Sequence, residues 1–260
     1  MKTALACLAA ACALALTTAD AAPKPKWEIG VGAVGTYGPA FWGASREADS
    51  FSGFPVAYVV YRGKNFSILP DGVFGIDAGN TERFSFSLSI DGSGGVDSED
   101  RYGLGDIDPV LEAGPEIKFA LLANGSSRLE VGLAARAAYQ LGEGFEGWVI
   151  EPSVSYLFTL TDTTRMRLTA AAKWGSRDYN DLWYSDGFYI ADSGYIGASF
   201  AIAYVNDLTD RLRLSAQAKV MTVDGSEMDD FASLVQDDTN YSFRIGFTYA
   251  IWQSSAMTDD

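Results

Sequence analysis

Along this chain, apolar and polar residues change places at every second position. From Tyr241 to Ile251, Tyr241, Phe243, Ile245, Phe247, Tyr249 and Ile251 share one side, and Ser242, Arg244, Gly246, Thr248 and Ala250 share the other. Residues 128–141 repeat the pattern, with Leu129, Val131, Leu133, Ala135, Ala137, Tyr139 and Leu141 set against Arg128, Glu130, Gly132, Arg136 and Gln140. Residues 84–90 and 211–220 do the same, and similar runs begin near Trp27, Phe54, Val110, Trp148, Arg165 and Tyr195. A period of two is that of a β-strand with chemically different faces. Most of these runs are about ten to thirteen residues long. Strands of soluble proteins run to about five or six, and a tilted strand crossing a bilayer needs about nine to eleven.

The connections alternate as well. Short polar turns fall at 62–65, 79–82, 124–127, 161–164 and 207–210, and longer acidic connections near 38–53, 92–107, 141–147, 176–193 and 224–240. Short turns on one rim and long loops on the other is the arrangement of an outer-membrane barrel. With both termini on the short-turn side, the alternation holds only if 66–78 is split at the Pro70-Asp71-Gly72 turn. The expected fold is therefore all-β: a transmembrane antiparallel β-barrel of twelve strands over residues 27–252. Hydrocarbon offers the backbone no hydrogen-bond partner, so such a sheet has to close. A soluble secreted barrel or sandwich also alternates, and it is the competing reading.

The direction of each face follows from electrostatic cost. An Arg or Lys on the lipid face at mid-depth costs about 2–4 kcal/mol. Arg128, Arg136, Arg165, Arg167, Lys173, Arg211, Arg213, Lys219 and Arg244 should therefore point into the lumen or lie near a rim. Glu112, Glu116, Glu130 and Glu151 share the inward parity, so interior ion pairs are expected. Trp27, Tyr37, Tyr139, Trp148, Trp174, Tyr241 and Trp252 sit near strand ends, where interfacial aromatic girdles belong. Inward cations are compatible with an anion-selective pore. Twelve strands is also close to the size at which side chains fill the interior, which favours a narrow or closed lumen.

The first residues read as an address. Lys2 precedes an apolar run from Ala4 to Leu16, and Ala19-Asp20-Ala21 supplies small residues at a cleavage site. This pattern predicts a signal peptide over 1–21, a mature start near Ala22, a linker over 22–26 and a C-terminal periplasmic tail over 253–260. Both cysteines, Cys7 and Cys12, lie in the segment to be removed. Lipidation of either fits poorly, because little apolar run precedes them.

The 260 residues carry a formal charge of −15 and 48% hydrophobic residues, which argues against nucleic-acid binding and against disorder. No histidine is present, which removes histidine-based triads, histidine general bases and histidine-ligated metals. No enzymatic activity and no cofactor are expected. Asp91, Asp97, Glu99, Asp100 and Asp106, and separately Asp224, Glu227, Asp229, Asp230, Asp237 and Asp238, make two acidic loops that admit a calcium reading. Neither has EF-hand spacing. The plainer reading is a solvated loop, bridged by divalent ions to anionic lipopolysaccharide. Gly92-Ser93-Gly94-Gly95 precedes no helix and is not a phosphate loop.

Three stretches resemble the MipA/OmpV family of outer-membrane proteins. They are WEIGVGAVGTYG (27–38) followed by FPVAYVVYRGKNFSI (54–68), then GLGDIDPVLEAGPEI (103–117), then RIGFTYAI (244–251). The last also matches the general barrel-assembly signal through Arg244, Gly246, Tyr249 and Ile251. The chain departs from the family pattern at 183–195 and 229–238 and in the eight residues after Trp252. The resemblance implies a non-enzymatic barrel that brings a murein transglycosylase to a penicillin-binding protein, or a structural envelope protein. A small-solute channel with an Arg/Lys-lined lumen and an adhesin are the alternatives. Outer-membrane lipid and lipopolysaccharide are the implied surroundings. Intact-mass measurement of protein extracted from outer membranes should show the loss of residues 1–21. A mass retaining them would overturn the address reading.

Overall fold

A computed structural model describes residues 24–39, 41–45, 50–62, 67–70, 76–80, 83–101, 104–124, 126–186, 188–226 and 234–258. The expected signal peptide and the start of the linker lie outside the described residues. So do the turn at 63–66, Asp71 and Gly72, Glu227, Asp229, Asp230 and the last two residues of the tail.

The strands are β1 (Trp27–Gly38), β2 (Ser50–Arg62), β3 (Ser67–Pro70), β4 (Ile76–Asn80), β5 (Phe84–Ser93), β6 (Val110–Asn124), β7 (Ser127–Gln140), β8 (Gly144–Thr159), β9 (Thr164–Gly175), β10 (Gly194–Asp207), β11 (Leu212–Thr222) and β12 (Thr239–Gln253). One helix, α1 (Arg177–Tyr184), lies between β9 and β10. Ten long antiparallel strands, from the 10 residues of β5 to the 16 of β8, form a curled wall. β3 and β4, of four and five residues, carry the remaining arc between β2 and β5. Hydrogen bonding runs in the order β1-β12-β11-β10-β9-β8-β7-β6-β5-β4-β3-β2, and β2 pairs with β1. Among the described residues, the β2–β3 ladder has two register pairs and the β3–β4 ladder three, fewer than any other neighbouring pair.

The outer face is apolar, as the alternation requires. Phe243, Ile245, Phe247, Tyr249 and Ile251 are all about half exposed on β12, and Phe84, Phe86 and Leu88 repeat this on β5. All seven girdle aromatics are exposed at strand ends. Trp27 and Trp252 mark the end that carries the termini. Tyr37, Tyr139, Trp148, Trp174 and Tyr241 mark the other. Trp27 and Tyr37 are ten positions apart on β1. At ~3.3 Å per residue and a tilt of ~40°, that separation gives a band about 25 Å tall, the height of an outer-membrane apolar belt.

One expectation needs correction. The connection at 141–147 is not a long loop: β8 starts at Gly144, leaving only Leu141 to Glu143 as a turn. The strand alternation of 145–147 is interrupted at Gly147, whose φ of 108° produces a local bulge. Residues before β1 and after β12 are hydrogen-bonded to each other. Lys26 N donates to Ala256 O (2.8 Å), Thr258 N to Lys24 O (2.9 Å) and Ser254 N to Trp27 O (2.9 Å), which extends the β1–β12 seam beyond the wall.

The long loops do not lie loose in solvent. Residues 41–44 from the β1–β2 loop, Val96 and Ile107 from the β5–β6 loop, α1, and Val223 and Leu234 from the β11–β12 loop pack into one buried apolar cluster. Phe41 stacks on Trp183 at 5.8 Å and meets Tyr184 edge-on at 5.9 Å. Asn240 is buried and clamps the first loop, accepting from Gly43 N (2.6 Å) and donating to Ala44 O (2.8 Å). An eight-residue helix is marginal on its own. α1 is held by its Ser176 N-cap and by burial of Tyr179, Asn180, Trp183 and Tyr184. It sits where two glycines clear the wall, since a Cβ on Gly147 would meet Tyr179 N at 2.8 Å and one on Gly175 would meet Tyr179 Cδ1 at 2.9 Å.

Gly147→Val should unseat α1, because a β-branched residue is strained at positive φ and has no room there. The expected result is faster trypsin cleavage at Arg177 while the barrel still migrates anomalously on unheated gels. Unchanged cleavage would show that the seat does not hold the helix.

Candidate functional site

The interior is organised by charge in two tiers. The upper tier lies beneath the loop cap. Arg136 on β7 donates from Nε to Glu112 (3.1 Å) and from Nη2 to Glu151 (2.8 Å), and reaches Ser89 Oγ with Nη1 (3.2 Å). Lys173 on β9 donates to the other oxygen of Glu112 (2.8 Å). Tyr179 from α1 completes the knot. Its hydroxyl donates to Glu112 Oε1 (2.7 Å) and accepts from Lys173 Nζ (2.7 Å). Burial and the neighbouring Glu112 charge hold the Tyr179 phenol well above its usual pKa, so it remains a proton donor. Trp42, from the first loop, lies near two ammonium groups, Lys219 at 4.9 Å and Lys173 at 5.5 Å from the ring centre. Such contacts are favourable for a cation taken out of water.

One pair in this tier spans the interior. Arg244 Nη2 lies 2.8 Å from Asp91 Oδ1. Arg244 is on β12 and Asp91 on β5, and four strands separate them in the shorter direction around the sheet. A direct contact between such distant strands has to run across the lumen.

The lower tier lies at the end carrying the termini and short turns. Asp207, the last residue of β10, gathers Arg213 Nε (2.6 Å), Lys24 Nζ (3.3 Å) and Arg165 Nη2 (3.7 Å). Glu28 on β1 accepts from Tyr58 (2.8 Å) and lies 3.5 Å from Arg62. Between the tiers, Lys118 pairs with Glu116 at 3.2 Å, and Arg128 Nε lies 2.6 Å from Glu130. The most open cations are in the lower tier and the least open in the upper one, with Arg62, Arg213 and Arg244 between them. The side chains of Arg165 and Lys24 are each 39% exposed in the lower tier, against 4% for Arg136 and 6% for Lys173 in the upper one.

Each charge singled out by inward parity can now be placed. Arg136, Lys173, Arg244, Glu112 and Glu151 meet in the upper tier around Asp91, with Lys219 on Trp42. Arg165 and Arg213 meet at Asp207. Glu116 and Glu130 hold Lys118 and Arg128, and Arg167 is half-buried near them on β9. Arg211 is exposed in the β10–β11 turn, one of the rim positions allowed for it. On β12, Gly246 is buried beside Ser215 and Val34, and Tyr249 and Ile251 face outward, so the four residues of the assembly signal divide between the two faces.

Several participants escaped sequence reasoning. Asp91 was counted among the loop acids, yet it belongs to β5 and turns inward. The count of solvated loop acids needs that correction. Parity would have found it, since it continues the series Ser85, Ser87 and Ser89. The same test finds Glu28 between outward Trp27 and Ile29. Asp207 was hidden in a turn. Trp42 and Tyr179 carry no alternation signal, because they come from loops. Asp106, from the same acidic loop, accepts from Ser98 N (2.7 Å) and caps a single 3-10 turn. Among the described residues, no group of three or more acids is placed to hold a metal ion.

Known proteins were compared with the chain on sequence and on structure. No curated protein sequence matches it. Solved structures similar to it include LpxR from Salmonella typhimurium, with a TM-score of 0.44 and 8% identity over 86% of this chain and 100% of that one. An outer membrane channel from Pseudomonas putida F1 gives a TM-score of 0.43 and 12% identity over 89% and 97%. A bacterial polysaccharide outer membrane secretin gives 0.44 and 9% over 86% and 99%. The model of the family described as MltA-interacting protein MipA matches residues 31–251, most of the sequence. The chain is an outer-membrane β-barrel protein and belongs to the MipA family.

Proposed function

We propose that this protein is a non-enzymatic, non-conducting twelve-stranded barrel, closed within the outer membrane, that serves as a fixed docking platform for enzymes that build and cut murein. Its termini and short turns face the periplasm, and its loop cap faces outward. Cleavage after Ala21 would leave residues 22–26 and 253–260 on the periplasmic side. The inward charges of both tiers serve the interior. Arg244, Gly246, Tyr249 and Ile251 serve assembly into the membrane.

The Arg244–Asp91 bridge is the single observation that carries the non-conducting reading. A path for solutes would have to pass a salt bridge drawn across the lumen, and beyond it the Tyr179 knot and the packed aromatic cap. Both side chains are partly buried, at 19% and 24% exposed, so the bridge lies within the barrel and not at its open rim. The same burial argues against catalysis, because both upper-tier glutamates are already bound by Arg136. The family's description names an interaction with MltA. That gives the platform reading its partner, a murein transglycosylase.

Planar-bilayer recording of the purified protein should show no stable conductance steps. The paired change Arg244→Gln with Asp91→Asn removes the bridge without leaving a charge alone, and together with Tyr179→Phe it should give small, measurable steps. A steady open pore in the unaltered protein would instead make it a channel. Photocrosslinkers placed at Asp162 and Asp210, in the short turns, should capture a murein transglycosylase in intact envelopes. Capture only from the long loops would overturn the platform reading.

A further inference from the structure

The lower tier is unevenly charged. Lys24, Arg62, Arg165 and Arg213 face two carboxylates, Glu28 and Asp207, so two positive charges remain uncompensated within this group. Asp207 alone is shared by three cations, drawn from the segment before β1, from β9 and from β11. Arg62, Arg165 and Arg213 lie within electrostatic reach of one another, so the crowding is mutual. In the upper tier four cations, Arg136, Lys173, Lys219 and Arg244, meet three carboxylates, with Trp42 against two of the ammonium groups, whereas this group has two carboxylates for its four cations. Crowded cations held around one carboxylate are arranged to take a second anion. Guanidinium groups are suited to carboxylates because their forked N–H groups match the two oxygens.

Position narrows the anion. Arg165 and Arg213 lie on inward parity, away from the lipid face. Arg165 and Lys24 are each 39% exposed, against 4% for Arg136 and 6% for Lys173 under the cap, so the anion arrives from the aqueous side at this end. The clasp of residues 24–27 on 254–258 brings Lys24 to the same place, and Arg62 Nη1 donates to Pro25 O (2.8 Å), which fixes that segment beside the site.

We propose that this mouth is a recognition site for an acidic polypeptide segment, a run of Asp and Glu side chains on a periplasmic protein. The proposal rests on the orientation and platform role above and supplies the surface through which a partner is held.

The test uses the full-length mature barrel in detergent micelles and a dye-labelled hexaglutamate peptide, read by fluorescence anisotropy. Binding should weaken by about tenfold or more between 50 and 300 mM salt, as expected for exposed charges. Arg165→Gln with Arg213→Gln should weaken it by about tenfold or more, since each charge-assisted hydrogen bond contributes on the order of a factor of ten. Asp207→Asn should strengthen binding severalfold, because it removes the competing carboxylate. Loss of a merely structural contact would not produce that opposite sign. Arg177→Gln, at the far end of the barrel, should leave binding unchanged. Each variant's barrel is checked by its migration on unheated gels.

Absence of hexaglutamate binding at low salt, or binding indifferent to both sets of variants, overturns the proposal. So does equal competition by inorganic phosphate or by soluble murein fragments at matched concentration, since the site would then take any small anion or the wall polymer. If the transglycosylase crosslink survives Arg165→Gln with Arg213→Gln, this site falls and the platform stands. If hexaglutamate binds but no murein enzyme is ever captured, the platform falls and the site stands.

Discussion

Ionised groups enclosed by a narrow barrel have to find each other, and the architecture of this protein follows from that requirement. The apolar outer face satisfies hydrocarbon, so on the long strands charges such as Glu112, Arg136, Lys173 and Arg244 turn inward. Under the cap the solution is reciprocal. Arg136 binds two glutamates, Glu112 receives Arg136, Lys173 and Tyr179, and Arg244 crosses to Asp91. In low dielectric an unmatched member of such a group costs several kcal/mol, which makes the upper tier a fixed unit. Toward the termini, water is nearer and matching is looser. The same inward parity therefore yields a closely paired, buried set of charges at one end and a set that includes more open cations at the other.

The cap depends on the knot as much as the knot depends on the cap. Tyr179 reaches Glu112 only because α1 is seated over Gly147 and Gly175, and Trp42 meets Lys219 only because Asn240 holds the first loop inward. Arg101 adds a further tie, donating to Leu182 O (3.0 Å) and so joining the β5–β6 loop to the end of α1. Among the described residues, Asp97, Asp106, Asp224 and Asp238 thus stay exposed while loop aromatics fold in. The molecule is acidic overall, yet beneath the loops Phe41, Trp42, Tyr179, Trp183 and Tyr184 pack among aliphatic side chains such as Val96, Ile107, Ile196 and Leu234.

The alternation of Tyr241 to Ile251 or of Arg128 to Leu141 was readable because each strand has only two faces and one of them meets lipid. Parity placed Arg136, Lys173 and Glu112 inside before any coordinates. It could not say which glutamate meets which cation, because pairing depends on how far around the sheet two strands lie. Arg244 and Asp91 are 153 positions apart in sequence and adjacent only through the lumen. The cap was invisible for a different reason. Phe41, Trp42, Trp183 and Tyr184 obey no period of two, and a short helix seated on two glycines leaves little mark on composition. The turn at 141–143 was misjudged because the glycines at 142, 144 and 147 look like loop, while positive φ at each lets the strands run almost to the turn.

The union of the chain's two ends changes where this wall would give way. The β1–β12 seam, joined last in a linear chain, is lengthened by the hydrogen bonds between residues 24–27 and 254–258, so it is among the best-secured junctions. β3 and β4 meet their neighbours over far fewer residues. A sideways parting of the barrel, whether under mechanical load or at high temperature, would start beside that short pair, on the flank adjoining β2 and β5, and would leave residues 24–27 and 254–258 still fastened together.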